Sequence, residues 1–266
     1  MQNPVIEVNG LTKRYGDFSA VDGIDFTVGS GEFFGFVGPN GAGKTTTISM
    51  LCTLAKPTAG TATIAGFDVA AQSDQVRRQI GVVFQEATLD NRLTARENLA
   101  FHAAVYHVPR AERDARLADV LDLVELTRFA DDIVDNFSGG MRRRLEVARG
   151  LLHSPKVLFL DEPTLGLDPQ TRNRIWEYLR RLADRDDMTV FMTTHYMDEA
   201  ENCDRVAVID RGALVAVDTP AALKRQTGET TLDGVFLKLT GQAIRDEDVL
   251  TNKHMSRIAA KAKGGR

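Results

Sequence analysis

The sequence is poor in cysteine: only Cys52 and Cys203 occur among its 266 residues, and neither belongs to a CxxC pair. This scarcity argues against a disulfide framework and against a cysteine-based zinc site, and we interpret both residues as buried, reduced thiols of a cytosolic protein. Long apolar runs are missing as well. Runs such as VVF and VLFL are far shorter than the ~20 residues that a membrane-spanning helix needs.

An excess of positive charge is also missing. The chain carries 33 Lys and Arg against 37 Asp and Glu, a formal net charge of −4, and this balance argues against nucleic acid as a partner. The N-terminal MQNPVIEVNG has neither the basic nor the apolar region of a signal peptide. We therefore expect a cytoplasmic protein, and any membrane process that it serves would need another chain to cross the bilayer.

The order of apolar patterns along the chain predicts an α/β protein. Residues 4–37 contain short apolar runs separated by glycine turns, which is typical of β-strands. From Thr94 to about Phe129 the pattern becomes helical, with Leu117, Leu121 and Val124 on one helix face. Further strand and helix patterns then alternate, as in a parallel sheet covered by helices.

The segment GPNGAGKT matches the phosphate-binding pattern G-x-x-x-x-G-K-[ST]. Its glycines let backbone N–H groups turn toward phosphates, and the following helix adds the attraction of its positive end. Lys44 can reach the β- and γ-phosphates, and Thr45 can bind Mg²⁺. A glycine turn with an incidental lysine is the alternative, but an apolar strand before the segment and a helix after it favour a nucleotide site. Its predicted nucleotide-binding residues are Gly38, Pro39, Asn40, Gly41, Ala42, Gly43, Lys44, Thr45 and Thr46.

Two acidic residues, Asp161 and Glu162, follow the apolar strand VLFL. Ligands of open α/β sheets bind at the carboxyl ends of the strands, so both carboxylates are well placed for chemistry. Asp161 suits Mg²⁺, and Glu162 is the candidate that polarises the attacking water. A strand-end acid that caps a loop is the alternative. We predict a P-loop NTPase core with a mostly parallel sheet, an N-terminal antiparallel β subdomain and an inserted α-helical subdomain.

A second candidate anion site lies in NFSGGM, where a serine and two glycines precede a helix. The apolar residues of this helix recur on one face, from Met141 to Leu152. Arg142, Arg143 and Glu146 lie off that face, and a solvated helix surface is one interpretation of Arg142–Arg144. One chain thus carries two helix starts that suit phosphate.

The set of motifs, in its order, resembles the ATP-binding subunit of ABC transporters. It comprises the two helix starts, Gln85 after GVVF, LGLD after DEPT, and His195 after a strand. The resemblance covers about residues 4–228 and departs from the family at Phe137 and Met141, where Leu and Gln are usual. The segments SGGMRRRLE, TTHYMDEAE and TLDGVFLKLTG further resemble drug- and lipid-export subunits of the daunorubicin-resistance type.

The resemblance implies that two ATPase domains face each other head to tail, so that the helix after FSGG closes on the γ-phosphate held by the other domain. Ser138, Gly139 and Gly140 would then contact the partner's ATP, and Asp168 would lie at the dimer contact. The partner domain is expected to be an identical copy.

The resemblance also implies roles within one chain. Tyr15 would stack on adenine, Gln85 would contact Mg²⁺ and the attacking water, and His195 would hold the γ-phosphate and position Glu162. Glu162 and His195 are thus the predicted catalytic residues, with Thr45, Gln85 and Asp161 as the metal ligands. Alternatively, Tyr15 is a strand-end aromatic residue, and Gln85 and His195 are ordinary loop residues.

We expect residues 1–228 to form the ATPase domain, with a helical subdomain at about 90–153, and residues 229–266 to form an extension with a basic tail. The resemblance implies an ATPase subunit, peripheral on the cytoplasmic face of the membrane, that uses Mg²⁺ and ATP. It would power export of a drug, lipid or glycoconjugate through a separate integral membrane permease.

Three other classes of protein share some of these features. A soluble ABC ATPase of the iron–sulfur assembly type, without a membrane partner, is the main alternative. A DNA-maintenance or translation-factor ABC protein would call for long coiled coils or two ATPase domains in one chain, and the sequence shows neither pattern. A P-loop kinase outside the ABC family would leave FSGGM unexplained.

Overall fold

The computed structural model describes residues 4–85, 88–186 and 188–241, so the basic tail from residue 249 onward lies outside the described residues. In chain order the strands are β1 (Pro4–Tyr15), β2 (Phe18–Gly29), β3 (Phe33–Val37), β4 (Ala59–Ile64), β5 (Phe67–Asp68), β6 (Ile80–Val83), β7 (Val157–Asp161), β8 (Thr189–Thr194), β9 (Arg205–Asp210) and β10 (Ala213–Asp218). The α-helices are α1 (Lys44–Leu51), α2 (Ser73–Gln79), α3 (Ala95–Val105), α4 (Arg113–Leu123), α5 (Gly139–Leu151), α6 (Pro169–Asp186), α7 (Met197–Ala200), α8 (Pro220–Thr227) and α9 (Leu232–Thr240).

The smaller sheet is antiparallel, with the strand order β2-β1-β4-β5. Along β1 and β2 buried and exposed residues largely alternate, because successive side chains of a strand point to opposite faces. The predicted N-terminal antiparallel subdomain is therefore confirmed.

The larger sheet has the order β10-β9-β3-β8-β7-β6, and only its edge strand β10 is antiparallel. Every residue of β3, β7 and β8 is buried, which explains their uninterrupted apolar sequences. The mostly parallel sheet is confirmed. Its order brings the carboxyl ends of β3, β8, β7 and β6 side by side, and the segments that follow these strands meet at one edge.

A cluster of phenylalanine rings joins the two sheets. Ring centroids lie 5.3 to 6.1 Å apart between side chains of β2 and one face of β3, β7 and β8. The cluster consists of Phe26, Phe34, Phe36, Phe159 and Phe191. On the opposite face of the larger sheet, alternate residues such as Phe33, Leu158 and Val190 pack in a second core with the helices.

The inserted helices are joined to the larger sheet through α5. Helices α3 and α4 pack against α5, which also packs against β6. Leu99, Leu117, Leu121 and Leu145 are buried in the shared core, and Thr94 starts α3 with a capping box. Helix α5 thus contacts both the other inserted helices and the edge strand β6 of the larger sheet.

The C-terminal helices pack on the domain. Helix α9 lies against α7 and α8 and buries Leu232, Val235 and Phe236. Its outer face leaves Leu237 and Leu239 exposed. Among the helices in the described residues, none combines the length and the hydropathy that crossing a bilayer requires.

We expect Phe191→Ala to lower the free energy of unfolding by about 3–5 kcal/mol, because Phe191 contacts four other rings and its removal leaves a cavity between the two sheets. Phe18→Ala is the control, since this ring is 64% exposed, and we expect a change within about 0.5 kcal/mol. Urea unfolding followed by circular dichroism measures both. Equal losses would show that the cluster does not hold the sheets together.

Candidate nucleotide-binding and catalytic site

The glycine-rich loop between β3 and α1 is held tightly by its neighbours. A Cβ on Gly38 would lie 2.2 Å from the carbonyl oxygen of Ile209, and a Cβ on Gly43 would lie 2.5 Å from that of Ala20. Gly43 also has φ of +109°, which other residues rarely adopt. The loop thus needs glycine at both positions, and its backbone is placed before any nucleotide arrives.

Lys44, the first residue of α1, points into this loop. It is only 5% exposed, and its Nζ donates hydrogen bonds to the carbonyl oxygens of Gly38 (2.8 Å) and Pro39 (3.2 Å). The same Nζ lies 3.3 Å from Oε1 of Glu162. Burial lowers the pKa of Lys44, and the nearby Glu162 carboxylate offsets only part of this effect.

Glu162 occupies a strained position after β7. Its φ is +46°, in the left-handed region that costs free energy for a non-glycine residue. Two hydrogen bonds hold it there, because its backbone N–H donates to both the carbonyl oxygen (3.2 Å) and Oγ1 (3.1 Å) of Thr193. This orientation directs the carboxylate toward the loop.

One oxygen of Glu162 lies between the side chains of Lys44 and His195. Oε1 lies 3.3 Å from Nζ of Lys44 and 3.3 Å from Nδ1 of His195, although the latter contact lacks hydrogen-bond alignment. Burial raises the pKa of Glu162, but His195 and Lys44 outweigh it, so the pKa is below its ordinary value. The carboxylate is therefore ionised at neutral pH and can accept a proton from water.

The metal-ligand candidates offer oxygen atoms near the same edge. Asp161 is buried at the end of β7, where its Oδ1 accepts a hydrogen bond of 2.6 Å from Oγ1 of Thr193, and Thr45 also hydrogen-bonds to it. Burial raises the pKa of Asp161, and these hydrogen bonds offset the rise only in part. The exposed Gln85 follows the neighbouring strand β6 by two residues. Carboxylate, hydroxyl and amide oxygens fit the preference of Mg²⁺.

The second helix start lies elsewhere on the surface. Ser138 is exposed and caps α5 by accepting a hydrogen bond from the N–H of Met141 (3.2 Å). Within the part of the chain that the structure describes, the atoms nearest to the Cβ positions of Gly139 and Gly140 belong to Leu167 and Thr171. This start thus adjoins the beginning of α6, whereas the glycine-rich loop adjoins Glu162.

The beginning of α6 completes that surface. Asp168 is exposed and caps α6, since its Oδ1 accepts from the N–H of Thr171 (3.0 Å) and its Oδ2 from Oγ1 of Thr171 (2.6 Å). A cleft of about 740 Å³ opens between α4, α5 and α6, and Ser138 and Gly140 contribute to its wall. Asp168 thus caps α6 directly before Pro169, a usual residue for the first helical turn.

Tyr15 lies at the tip of the β1–β2 hairpin. Its ring is 54% exposed, and Nζ of Lys13 lies 5.1 Å from the ring centroid. An exposed ring can stack on a planar base, but no contact in the described structure ties Tyr15 to the loop. Its adenine-binding role stays a prediction.

The interpretation of Arg142–Arg144 as a solvated surface is wrong for Arg143. Arg143 is 8% exposed and Glu146 is 1% exposed. Hydropathy periodicity treats charge as a mark of solvent, and it cannot detect charges that pair with each other inside the protein. Their spacing of three residues, which suits an ion pair on one helix face, was the available signal.

The sequence also did not reveal the support beneath His195. Glu199 is buried, and its carboxylate accepts hydrogen bonds from Oγ1 of Thr194 (2.7 Å) and Oγ1 of Thr164. It thereby ties the end of β8, next to His195, to the segment after Glu162. An acid four residues beyond His195 in TTHYMDEAE was the only local sign.

An enclosed lysine between a phosphate-binding loop and a strand-end carboxylate places the chain among the P-loop nucleoside triphosphatases. The family model described as ABC transporter matches residues 21–165, more than half of the chain. The chain belongs to this family and is an ATP hydrolase, and the predicted resemblance to daunorubicin-resistance ATPases is confirmed.

Three comparisons describe this likeness. The chain is 45% identical over 228 residues to the daunorubicin/doxorubicin resistance ATP-binding protein DrrA of Streptomyces peucetius, covering 85% of this chain and 69% of that protein. It is 45% identical over 221 residues to Nod factor export ATP-binding protein I of Ralstonia nicotianae, covering 83% and 68%. Among solved structures, the dimeric cassette MJ0796 in a post-hydrolysis state bound to ADP and Pi has a TM-score of 0.71 and 30% identity, covering 80% and 98%.

We expect Lys44→Met to raise the pKa of Glu162 in the nucleotide-free protein, because the substitution removes a cation that opposes the effect of burial. The titration of the Glu162 side-chain ¹³C signal, assigned with a Glu162→Gln spectrum, measures the pKa. Lys13→Met removes a half-buried cation of the β1–β2 hairpin and should leave the titration unchanged. A pKa that stays constant or falls in Lys44→Met would contradict the proposed role of the ion pair.

Proposed function

We propose that this chain is the ATP-hydrolysing subunit of an exporter and that two identical copies enclose ATP between them. The separation of the two helix starts carries this proposal. The loop before Lys44 adjoins Glu162 and His195, whereas Ser138 adjoins the exposed start of α6. A second phosphate-binding helix start, exposed beside α6, suits the nucleotide of another copy.

Binding would begin at the loop of one chain. Its backbone N–H groups and the positive end of α1 would hold the phosphates, with Lys44 on the β- and γ-phosphates. Thr45, Asp161 and Gln85 would hold Mg²⁺, which neutralises charge on the phosphate oxygens when it is bound. Tyr15 would stack on the adenine ring.

Hydrolysis would rely on Glu162. Its ionised carboxylate would orient water in line with the γ-phosphorus and receive a proton, while the bond from this phosphorus to the bridging oxygen breaks and ADP and inorganic phosphate form. His195, in contact with the same carboxylate oxygen, would hold Glu162 and the γ-phosphate. Lys44 would stabilise the negative charge that moves to the leaving phosphate.

The partner chain would complete the site. Its Ser138, Gly139 and Gly140 would contact the γ-phosphate through the start of α5, where unpaired N–H groups and the helix dipole favour an anion. Asp168 lies next to these residues on the surface, so it would take part in the dimer contact. ATP would therefore hold the dimer together, and hydrolysis would release it.

The export role rests on the relatives. One is named for daunorubicin and doxorubicin resistance and another for Nod factor export. By analogy, this chain would lie on the cytoplasmic face of the membrane and act on a separate integral membrane permease. The substrate would be a drug, lipid or glycoconjugate that the permease selects.

We expect Glu162→Gln to keep ATP affinity, to lose turnover by about 10²-fold or more, and to remain a dimer in ATP, because the amide cannot accept the proton from water. Equilibrium ATP binding, phosphate release and size-exclusion chromatography in ATP and ADP measure these properties. Glu112→Gln, at an exposed position directly before α4, is the matched control and should behave as the parent chain.

Two results would contradict this proposal. Turnover of Glu162→Gln at the parental rate would exclude Glu162 as the catalytic residue. Full activity of a strictly monomeric chain, together with an undiminished rate in Ser138→Ala, would exclude the shared site.

We expect the chain to co-purify with a hydrophobic protein of several membrane spans when the two are expressed from their native gene neighbourhood. Gentle solubilisation in detergent and identification of the captured protein test this interaction. The same capture with Glu162→Gln in ATP tests the protein in a second state, the expected ATP-bound dimer. Recovery of the chain without any membrane protein in both states would favour the soluble, iron–sulfur assembly type of ABC ATPase.

A further inference from the structure

The buried guanidinium of Arg143, on α5, is bound to three backbone carbonyl groups. Its Nε donates to the oxygen of Pro163 (2.7 Å), Nη1 to that of Phe84 (2.5 Å) and Nη2 to that of Asp161 (3.2 Å). The planar fork of arginine can satisfy several acceptors at once. The side chain therefore fastens α5 to two separate segments at the edge of the larger sheet.

Those carbonyl groups flank the residues proposed for catalysis. Asp161 and Pro163 lie directly before and after Glu162, and Phe84 directly precedes Gln85. Glu162 needs such support because its φ of +46° is unfavourable. On the sheet side Thr193 already holds its N–H, and Arg143 holds the backbone on both sides of it.

A buried carboxylate balances the charge of Arg143. Oε2 of Glu146 lies 3.4 Å from Nη1, while its Oε1 accepts hydrogen bonds from the N–H (2.6 Å) and Oγ1 (3.2 Å) of Thr88. Arg149 also donates to Oγ1 of Thr88. Burying such charges is costly, and apolar side chains of similar volume often stabilise a core as well, so stability alone does not account for this network.

We propose that Arg143 is a positioning residue for ATP hydrolysis that holds Glu162 and Gln85 of its own chain in their working geometry. This inference rests on the proposed two-chain site. Arg143 lies five residues after Ser138 on α5, about 7.5 Å along the helix axis. The helix that meets the partner's nucleotide thus also sets the position of the chain's own catalytic carboxylate.

Mixed dimers distinguish an effect of Arg143 on the active site of its own chain from an effect of α5 on the partner's site. Two differently tagged chains are purified together, and one of them carries Glu162→Gln, so only the chain that retains Glu162 hydrolyses its nucleotide. Arg143→Gln is then placed either on the chain with Glu162 or on the chain with Glu162→Gln. Single-turnover hydrolysis by chemical quench avoids effects of nucleotide trapped at the second site.

We expect Arg143→Gln on the chain with Glu162 to lower the single-turnover rate at least about tenfold, because small misplacements of catalytic groups are costly. The ATP concentration that gives half of this rate should change less than about threefold, since the loop before Lys44 is not touched. On the other chain, Arg143→Gln should change the rate less than about twofold. Equal losses in both arrangements, or a larger loss on the other chain, would overturn the proposal.

Two further variants guard against simple damage to the fold. Arg116→Gln removes another guanidinium, one that contacts Ser154 and Glu112. Its effect on the single-turnover rate should be the same whichever chain of the mixed dimer carries it. Arg143→Lys keeps a positive charge opposite Glu146 but lacks the planar fork. It should therefore also lower the rate more on the chain with Glu162 than on the other chain, but by a smaller factor than Arg143→Gln. If Arg143→Gln does not fold, Arg143→Lys decides, and its failure to show this dependence would overturn the proposal.

Failure of the two-chain site would be visible separately. If a strictly monomeric chain hydrolyses ATP at the full rate, the proposed dimer is wrong, and Arg143→Gln is measured in that monomer instead. A tenfold slower rate at unchanged half-saturation would still support the positioning role. A rate equal to that of Arg116→Gln would contradict it.

Discussion

The contact between Lys44 and Glu162 is the interaction on which the site depends. It joins the start of α1, which follows β3, to the end of β7, and these two strands are separated in the sheet by β8. An ammonium group inside the protein is stable only with partners, and here the loop carbonyl groups and one carboxylate supply them. Strand β8 fills the gap between these strands and adds Thr193 and His195. The order of the parallel strands thus assembles a compact charged site from segments that are far apart in sequence.

Support for this site comes from buried polar groups rather than from the apolar core. Glu162 has an unfavourable backbone conformation, and such strain persists only where the surroundings hold it. Thr193 binds its N–H, Arg143 binds the carbonyl groups on either side, and Glu199 fixes the neighbouring end of β8. Each of these side chains is buried and hydrogen-bonded to the backbone or to another side chain near the site. We therefore regard them as one framework that keeps the carboxylate in place.

The two helix starts share a physical principle and differ in what surrounds them. Both present the positive end of a helix, which attracts phosphate. The loop before Lys44 lies beside acidic and basic groups suited to hydrolysis, whereas Ser138 lies at an exposed surface next to α6. This division gives a physical reason for two copies to meet around ATP, and a related cassette is dimeric with ADP and Pi bound. Helix α5 links the two regions, because Ser138 starts it and Arg143 on it binds the backbone on either side of Glu162.

The sequence alone determined the local features, because these depend on residues close together in the chain. Glycine spacing, the serine and two glycines of NFSGGM, and the apolar runs of the parallel strands predicted the loop, the helix starts and the α/β class. The tertiary structure decided which charges are buried. Arg143 and Glu146 have the same polarity as solvated residues, and their partners lie in segments that approach α5 only after the sheet has formed. The physical reason is that hydropathy is a property of one residue, whereas the pairing of a buried charge is a property of the folded chain.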